Sequence, residues 1–223
     1  MFRFFVDQKE KNYFLLNKET LNHIKVSRIQ SQKFICVYKE EFYITILEAN
    51  KAKILEKLNE NHEFKNDVII AASIINTKRF EWLIQKATEL GATKLFPMYS
   101  ENVVQKLGNN IEKKVERWNK IAKSASEQSF RNKAMIVEMP CFFDEIIKEK
   151  ILNKYIAHEK CNNNNNLNEL YEQNSIFLIG PEGGFSEKEV ELAQKNGFQT
   201  IFLGKRILRA ETATLFILSR IKQ

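Results

Sequence analysis

Five of the seven glycines in this chain lie between positions 180 and 204, at Gly180, Gly183, Gly184, Gly197 and Gly204, and none precedes Gly91. Backbone freedom is thus concentrated in the stretch from Ile176 to Thr214, IFLIGPEGGFSEKEVELAQKNGFQTIFLGKRILRAETAT. The apolar run Ile176 to Ile179 predicts a buried strand that ends directly in Gly-Pro-Glu-Gly-Gly. Ser186 and Glu189 have the spacing of a capping box, so a helix is predicted from about Ser186, with Gly197 as its stop. A second strand, Thr200 to Leu203, runs into Gly204. Strand, loop, helix, strand and loop in this order point to an open α/β sheet. In such sheets ligands bind at the carboxyl ends of strands, and glycine lets them reach main-chain N–H and C=O groups. The loops suit a planar polar molecule better than a triphosphate, because no Gly-Lys-Ser/Thr ending is present and Phe185 follows the last glycine. On these residues alone, two ordinary turns of an α/β domain are an equally open reading.

A chain of 223 residues with 43% hydrophobic content can bury a sizeable core as one large or two small domains, and two are favoured here. No apolar run approaches the ~18 residues of a membrane helix, and Met1 to Val6 is too short for a signal-peptide core. A soluble cytoplasmic protein is the expectation. Cys36, Cys141 and Cys161 lack C-x-x-C spacing and the three histidines are scattered, so neither disulfides nor a metal site is indicated. The net charge of +7 favours an anionic partner such as RNA. The excess is spread along the chain, so any RNA surface has to be assembled by folding.

From Met1 to about Phe64 the segments FRFFV, YFLL, KFICVY and FYITILEA read as short strands of a small β-barrel. Asp67 marks the expected boundary, giving domains 1–66 and 67–223. VIIAASII then reads as a strand buried on both faces. Phe80, Leu83, Ile84, Ala87 and Leu90 follow at helical spacing with Gly91 as the stop, and LFPMY gives another strand. A longer helix from about Ile111 carries Val115, Trp118, Ile121, Ala122 and Ala125 on one face and delivers Glu127, Gln128 and Arg131 at its end. After IVEM and an amphipathic segment, FFDEIIKEKIL, comes the strand KYIAHE. The tract CNNNNNLNE has no apolar content of the kind that packs, so a surface loop of variable conformation is expected.

Taken together, LIGPEGGFS and LGKRILRAETA resemble the C-terminal signature of the SPOUT-class methyltransferases, and within that class the 16S rRNA (uracil-N3)-methyltransferase family. KRFEWLIQKATELGA, SENVVQKL, EQSFR and the opening MFRFF also resemble that family, so the likeness covers nearly the whole chain. It implies a SPOUT-type α/β domain with a trefoil knot, preceded by a small PUA-like, RNA-binding β-barrel. It also implies a homodimer formed through the knotted domain, with Trp82 either facing the partner subunit or at an ordinary core or edge position. Three departures stand out: Asn102, where the family often has Arg; Phe130, where it usually has Gly; and Lys39-Glu40-Glu41, where a glycine-containing hairpin is expected.

The resemblance further implies S-adenosyl-L-methionine as cofactor, held by Ala157 and His158, by Ile179, Gly180, Pro181, Gly183 and Gly184, and by Leu203, Gly204, Ile207 and Leu208. His158 is equally readable as a structural histidine. Arg3, Lys25, Arg28 and Arg131 become candidate contacts to 16S rRNA of the small ribosomal subunit, against the plainer reading of solvated side chains or, for Arg131, of a cation at a helix C-terminus. Uracil N3 is a weakly acidic imide that attacks a methyl group only once its proton leaves, so the protein has to supply a base or stabilise the anion. Arg209 is the candidate stabiliser, with a salt bridge to Glu211 or Glu182 as its structural alternative. Glu182 is the candidate base, although a carboxylate before a helix is favoured by the dipole in any case. Solvent as the only base is a third possibility. Two rival functions remain: a SPOUT methyltransferase of another RNA, and a non-catalytic RNA-binding or ribosome-assembly factor.

Overall fold

The computed structural model describes residues 1–159 and 170–222; the asparagine tract and Cys161 lie outside the described residues. The chain divides into two compact units, one of residues 1–63 with 126–134, the other of residues 64–125 with 135–223.

The first unit is a mixed six-stranded sheet in the order β1-β4-β5-β6-β3-β2. Its strands are β1 (Arg3–Phe5), β2 (Lys9–Glu10), β3 (Tyr13–Leu15), β4 (Phe34–Tyr38), β5 (Glu41–Glu48) and β6 (Lys51–Leu58), all pairings antiparallel except β1 with β4. Side chains from opposite parts of the strand order, Phe4 of β1 and Phe14 of β3, share one core with Phe34, Cys36, Tyr43 and Ala52, so the sheet curls around its own interior. Helix α1 (Lys18–Val26), which the strand-dominated reading of this region missed, adds Ile24 to that core. Its start was legible: the Asn17 side chain accepts from the Thr20 N–H at 2.8 Å, an ordinary N-cap.

Two of the three hairpin turns of this sheet, β4–β5 and β5–β6, use left-handed backbone at both central residues without glycine. Lys39 and Glu40 have φ of 50° and 64°, and Ala49 and Asn50 have φ of 49° and 63°, the signature of turns that match the twist of the flanking strands. Residues 126–134 close the outer face. Phe130 stacks on Phe42 with ring centroids 4.8 Å apart and keeps φ at 63°, so the conformation that a glycine would adopt freely is held here by packing. Asn132 donates to the carbonyls of Glu40 and Glu60 and accepts from the His62 N–H, and the Phe5 N–H donates to Glu127.

The second unit is a seven-stranded, all-parallel sheet: β7 (Val68–Ser73), β8 (Lys94–Tyr99), β9 (Ile136–Val137), β10 (Cys141–Phe142), β11 (Asn153–Ala157), β12 (Ser175–Ile179) and β13 (Gln199–Ile201). The path runs β10-β8-β7-β12-β11-β13, with β9 also paired to β8. Strands β7 and β12 are buried at every residue and feed two cores alternately. Val68, Ile70, Ala72, Phe177 and Ile179 pack on one face; Ile69, Ala71, Ile176 and Leu178 pack on the other. Each fully buried aliphatic or aromatic side chain of this kind contributes about 1.5–3 kcal/mol. The first face is covered by side chains of α2 (Thr77–Glu89), α3 (Ile111–Gln128) and α6 (Ala210–Leu218), the second by those of α4 (Phe143–Ile146) and α5 (Glu187–Lys195). The helix predicted from Ser186 is α5, with the Ser186–Glu189 capping box formed and Gly197 at φ 85°. Helix α6 was not read from the sequence, because AETATLFIL is buried at most positions and has no polar face to give it a period.

Two stability measurements follow. Ala49→Asn with Asn50→Gly places the preferred residues in the β5–β6 turn and should raise stability by roughly 1 kcal/mol, read as a higher urea midpoint at unchanged slope. Arg131, 4% exposed and 2.5 Å from Glu63, should cost about 3–5 kcal/mol when replaced by Ala, whereas a purely RNA-facing arginine would leave the midpoint nearly unmoved.

Candidate active site

Parallel neighbours end on the same side of a sheet, and three adjoining strands here, in the order β13-β11-β12, release their loops into one cleft. Strand β11 delivers Ala157 and His158. Strand β12 delivers Ile179, Gly180, Pro181, Gly183 and Gly184, and the segment after β13 delivers Leu203, Gly204, Ile207 and Leu208. The structure therefore brings all eleven residues singled out from the sequence onto one lining, together with Glu182. Glu159, Phe185, Arg206, Ala210 and Ala213 also line the cleft and were missed. The two alanines had a legible signal: small residues three apart, at the start of a helix that went unread.

Two glycines are favoured by the geometry, one by crowding and one by its backbone angle. A Cβ on Gly180 would stand 3.3 Å from both the Gly184 backbone and the Phe185 ring, and Gly204 has φ of 116°, a conformation L side chains rarely adopt. The Pro-Glu-Gly-Gly turn is closed by the Gly184 N–H donating to the Pro181 carbonyl at 2.9 Å. Asn102 braces the same turn, its Nδ2 donating to the carbonyls of Gly183 and Gly184 at 3.3 and 3.1 Å. Glu189, 8% exposed, accepts from the N–H groups of Ser186 and Glu101 at 2.9 Å each, so the capping box also ties the segment after β8 to the start of α5.

The charges at the cleft are arranged differently from the expectation. Arg79, in the first turn of α2, donates from Nε and Nη2 to the two carboxylate oxygens of Glu211 at 2.8 and 2.7 Å and from Nη1 to Glu182 at 2.5 Å. Burial pushes the Glu211 carboxyl up, but the Arg79 hydrogen bonds, a backbone hydrogen bond and the charges of Arg79 and Arg209 outweigh it and hold the group below its ordinary value. The same pairing, led by the Glu211 hydrogen bond, raises the Arg79 guanidinium. Arg209 is exposed as the N-cap residue of α6 and forms no salt bridge with a described residue. It stands just outside the lining, between Leu208 and Ala210, which both contribute to it. The Arg79 hydrogen bond occupies one carboxylate oxygen of Glu182, so this side chain is already engaged at the cleft.

The basic residues expected to meet RNA all fall in the first unit. Lys25 and Arg28 are exposed. Arg3 is half-buried, its guanidinium carbon 4.8 Å from the centre of the Phe130 ring, and burial lowers its pKa. Arg131 is a correction: its guanidinium is buried and held by both carboxylate oxygens of Glu63, so it belongs to the fold of that unit and not to an open surface. No group of three or more His, Cys, Asp or Glu side chains among the described residues is placed to hold a metal ion. Burial pushes the Cys36 and Cys141 thiols up to about 12 and about 11, which makes them poor nucleophiles. Among the described residues no helix is long and apolar enough to cross a membrane.

Residues 62–222 match the RNA methyltransferase domain family. The ribosomal RNA small subunit methyltransferase E of Mesomycoplasma hyopneumoniae is 46% identical over 99% of this chain and 98% of its own, and that of Bacillus subtilis is 34% identical over 96% and 91%. Among solved structures, the Neisseria gonorrhoeae ribosomal RNA small subunit methyltransferase E bound to S-adenosyl methionine superposes with a TM-score of 0.86 at 28% identity, covering 98% of this chain and 95% of that one. A Legionella pneumophila protein in complex with the bound cofactor SAM gives 0.83 at 26% identity, covering 98% and 95%. These likenesses take in the curled N-terminal sheet as well as the parallel one, so the fold is the expected one, a small PUA-like barrel and a SPOUT-type knotted α/β domain. With identity of this extent running from end to end, the chain belongs to the ribosomal RNA small subunit methyltransferase E family.

Proposed function

We propose that this protein is an S-adenosyl-L-methionine-dependent methyltransferase acting on uracil N3 of a uridine in 16S rRNA, within the assembled small ribosomal subunit. The observation that carries the reading is the cleft itself: main chain bared at three adjoining strand ends, in a chain of this family. Its residues fit the cofactor chemically. Ile179, Leu203 and Leu208 supply apolar walls, and the glycines at 180, 183, 184 and 204 expose main-chain polar groups suited to the edge of a planar base. Glu159 and Glu182 on the same lining suit a ligand that carries positive charge. S-Adenosylmethionine, when bound, supplies an electrophilic methyl group on a sulfonium.

The protein's own part is to hold the uracil in line and to favour its N3 anion. Arg209, exposed beside the lining and always charged, is assigned the second task through a uracil oxygen. Glu182, already engaged by Arg79, shapes the charge of the cleft and does not accept the proton; solvent suffices for that. Lys25 and Arg28 are assigned to RNA phosphates as exposed cations of the proposed RNA-binding domain, residues 1–66, and Arg3 to the same surface. Trp82, 43% exposed on α2, is assigned to the interface of a homodimer formed by the methyltransferase domain, residues 67–223. The proposed compartment is the cytoplasm, where ribosomes are made.

Two observations favour catalysis over a binding-only factor. Asn102 braces the glycine turn of the cleft, and Phe130 keeps the left-handed backbone of the glycine it replaces, so neither departure dismantles the structure around it.

Mass spectrometry of small-subunit rRNA from cells with and without the protein should show one N3-methyluridine lost in its absence. An unchanged small-subunit RNA would reject the substrate. Arg209→Ala should reduce kcat by roughly 10²-fold while calorimetry with S-adenosylmethionine shows little change in affinity. A parallel loss of both would mark Arg209 as part of the scaffold.

A further inference from the structure

Arg79 lies outside every residue assigned a role so far, yet it engages charged side chains from two separate segments at the cleft. Each of its three guanidinium nitrogens donates to a carboxylate: Nε and Nη2 to the two oxygens of Glu211, and Nη1 to Glu182. Glu182 lies in the loop after β12, and Glu211 in the first turn of α6, two residues after Arg209. We infer that Arg79 is a positioning residue which, by occupying both carboxylates, keeps the guanidinium of Arg209 available to the substrate. The inference rests on the proposed role of Arg209 and adds the reason that this arginine is not consumed by its own neighbours.

The two partners of Arg79 differ in their demands. The Glu211 side chain is 9% exposed and that of Glu182 is 56% exposed. A buried carboxylate left without a partner is strongly unfavourable, so Glu211 will take whatever cation is within reach. Arg209 is nearby in sequence, exposed, without an ion pair to a described residue, and its charge already acts on Glu211. What excludes it is occupancy, because the planar fork of Arg79 covers both oxygens of Glu211 at once. Remove that fork and the salt bridge between Arg209 and Glu211 becomes the favoured arrangement, at the expense of catalysis.

A plain scaffold role for Arg79 predicts the opposite response to a second substitution, and that difference is the test. In turnover assays with small subunits lacking the modification, Arg79→Ala should lower kcat by about tenfold or more, with the affinity for S-adenosylmethionine changed by less than about threefold. Adding Glu211→Gln removes the charge that captures Arg209, and the double variant should recover kcat to within about threefold of the parent. A double variant no better than Arg79→Ala overturns the inference. Should Arg79→Ala fail to fold, as judged by thermal melting, Arg79→Lys serves instead. A single ammonium cannot cover both oxygens of Glu211, so an intermediate loss with the same rescue by Glu211→Gln is expected, and absence of rescue again overturns it. Arg209→Ala in the same assay separates the two levels. If it leaves turnover intact, the underlying role of Arg209 is wrong; if it impairs turnover and no rescue occurs, only the role of Arg79 falls.

Discussion

The site depends on the placement of β12 between β7 and β11. With Ile176 paired to Ile69 on one side and to Lys154 on the other, and with every residue buried, this strand has no freedom to slide. A one-residue slip would turn Phe177 and Ile179 from one core into the other. The loop that begins at Gly180 is therefore anchored by a strand that is paired on both sides and buried throughout, and the loops after β11 and β13 inherit its register through the parallel ladder. The cleft owes its shape to strand pairing, and its side chains add charge and apolar surface to a frame already set.

The cleft lining was largely legible in the sequence because it is written in residues with single uses. Gly180 and Gly204 stand where a Cβ is crowded or φ is positive, and Ser186 and Glu189 announce the helix between the strands. The charges were not legible in the same way. Arg79 is separated from Glu182 by 103 positions and from Glu211 by 132, and no local pattern connects an arginine in one helix to carboxylates so far along the chain. Arg131 shows the converse error. Its place in a family-like motif suggested an RNA contact, whereas burial against Glu63 is a tertiary fact that the sequence does not state. Helices α1 and α6 escaped for different reasons, the first by following a run of strand-like segments, the second by being apolar nearly all round.

The N-terminal unit illustrates how tertiary packing overrides local preference. Lys39, Glu40, Ala49, Asn50 and Phe130 all occupy left-handed backbone that glycine would enter without cost. Phe130 is offset by stacking on Phe42 and by the guanidinium of Arg3 above its ring, and Asn132 bonds the Glu40 carbonyl within one of the hairpin turns. The strain is local, and the contacts that hold it reach across the unit.

Pro97 has a consequence beyond the site. Strand β9 pairs only with Lys94 and Leu95 of β8, and β10 only with Met98 and Tyr99, leaving Phe96 and Pro97 uncovered between them. A proline has no N–H to offer a further strand, and a border split into two-residue pieces gives an incoming chain no continuous row of hydrogen-bonding groups. The outer margin of the parallel sheet is thereby a poor template for edge-to-edge aggregation, protection obtained from a single ring placed where the flanking chain breaks.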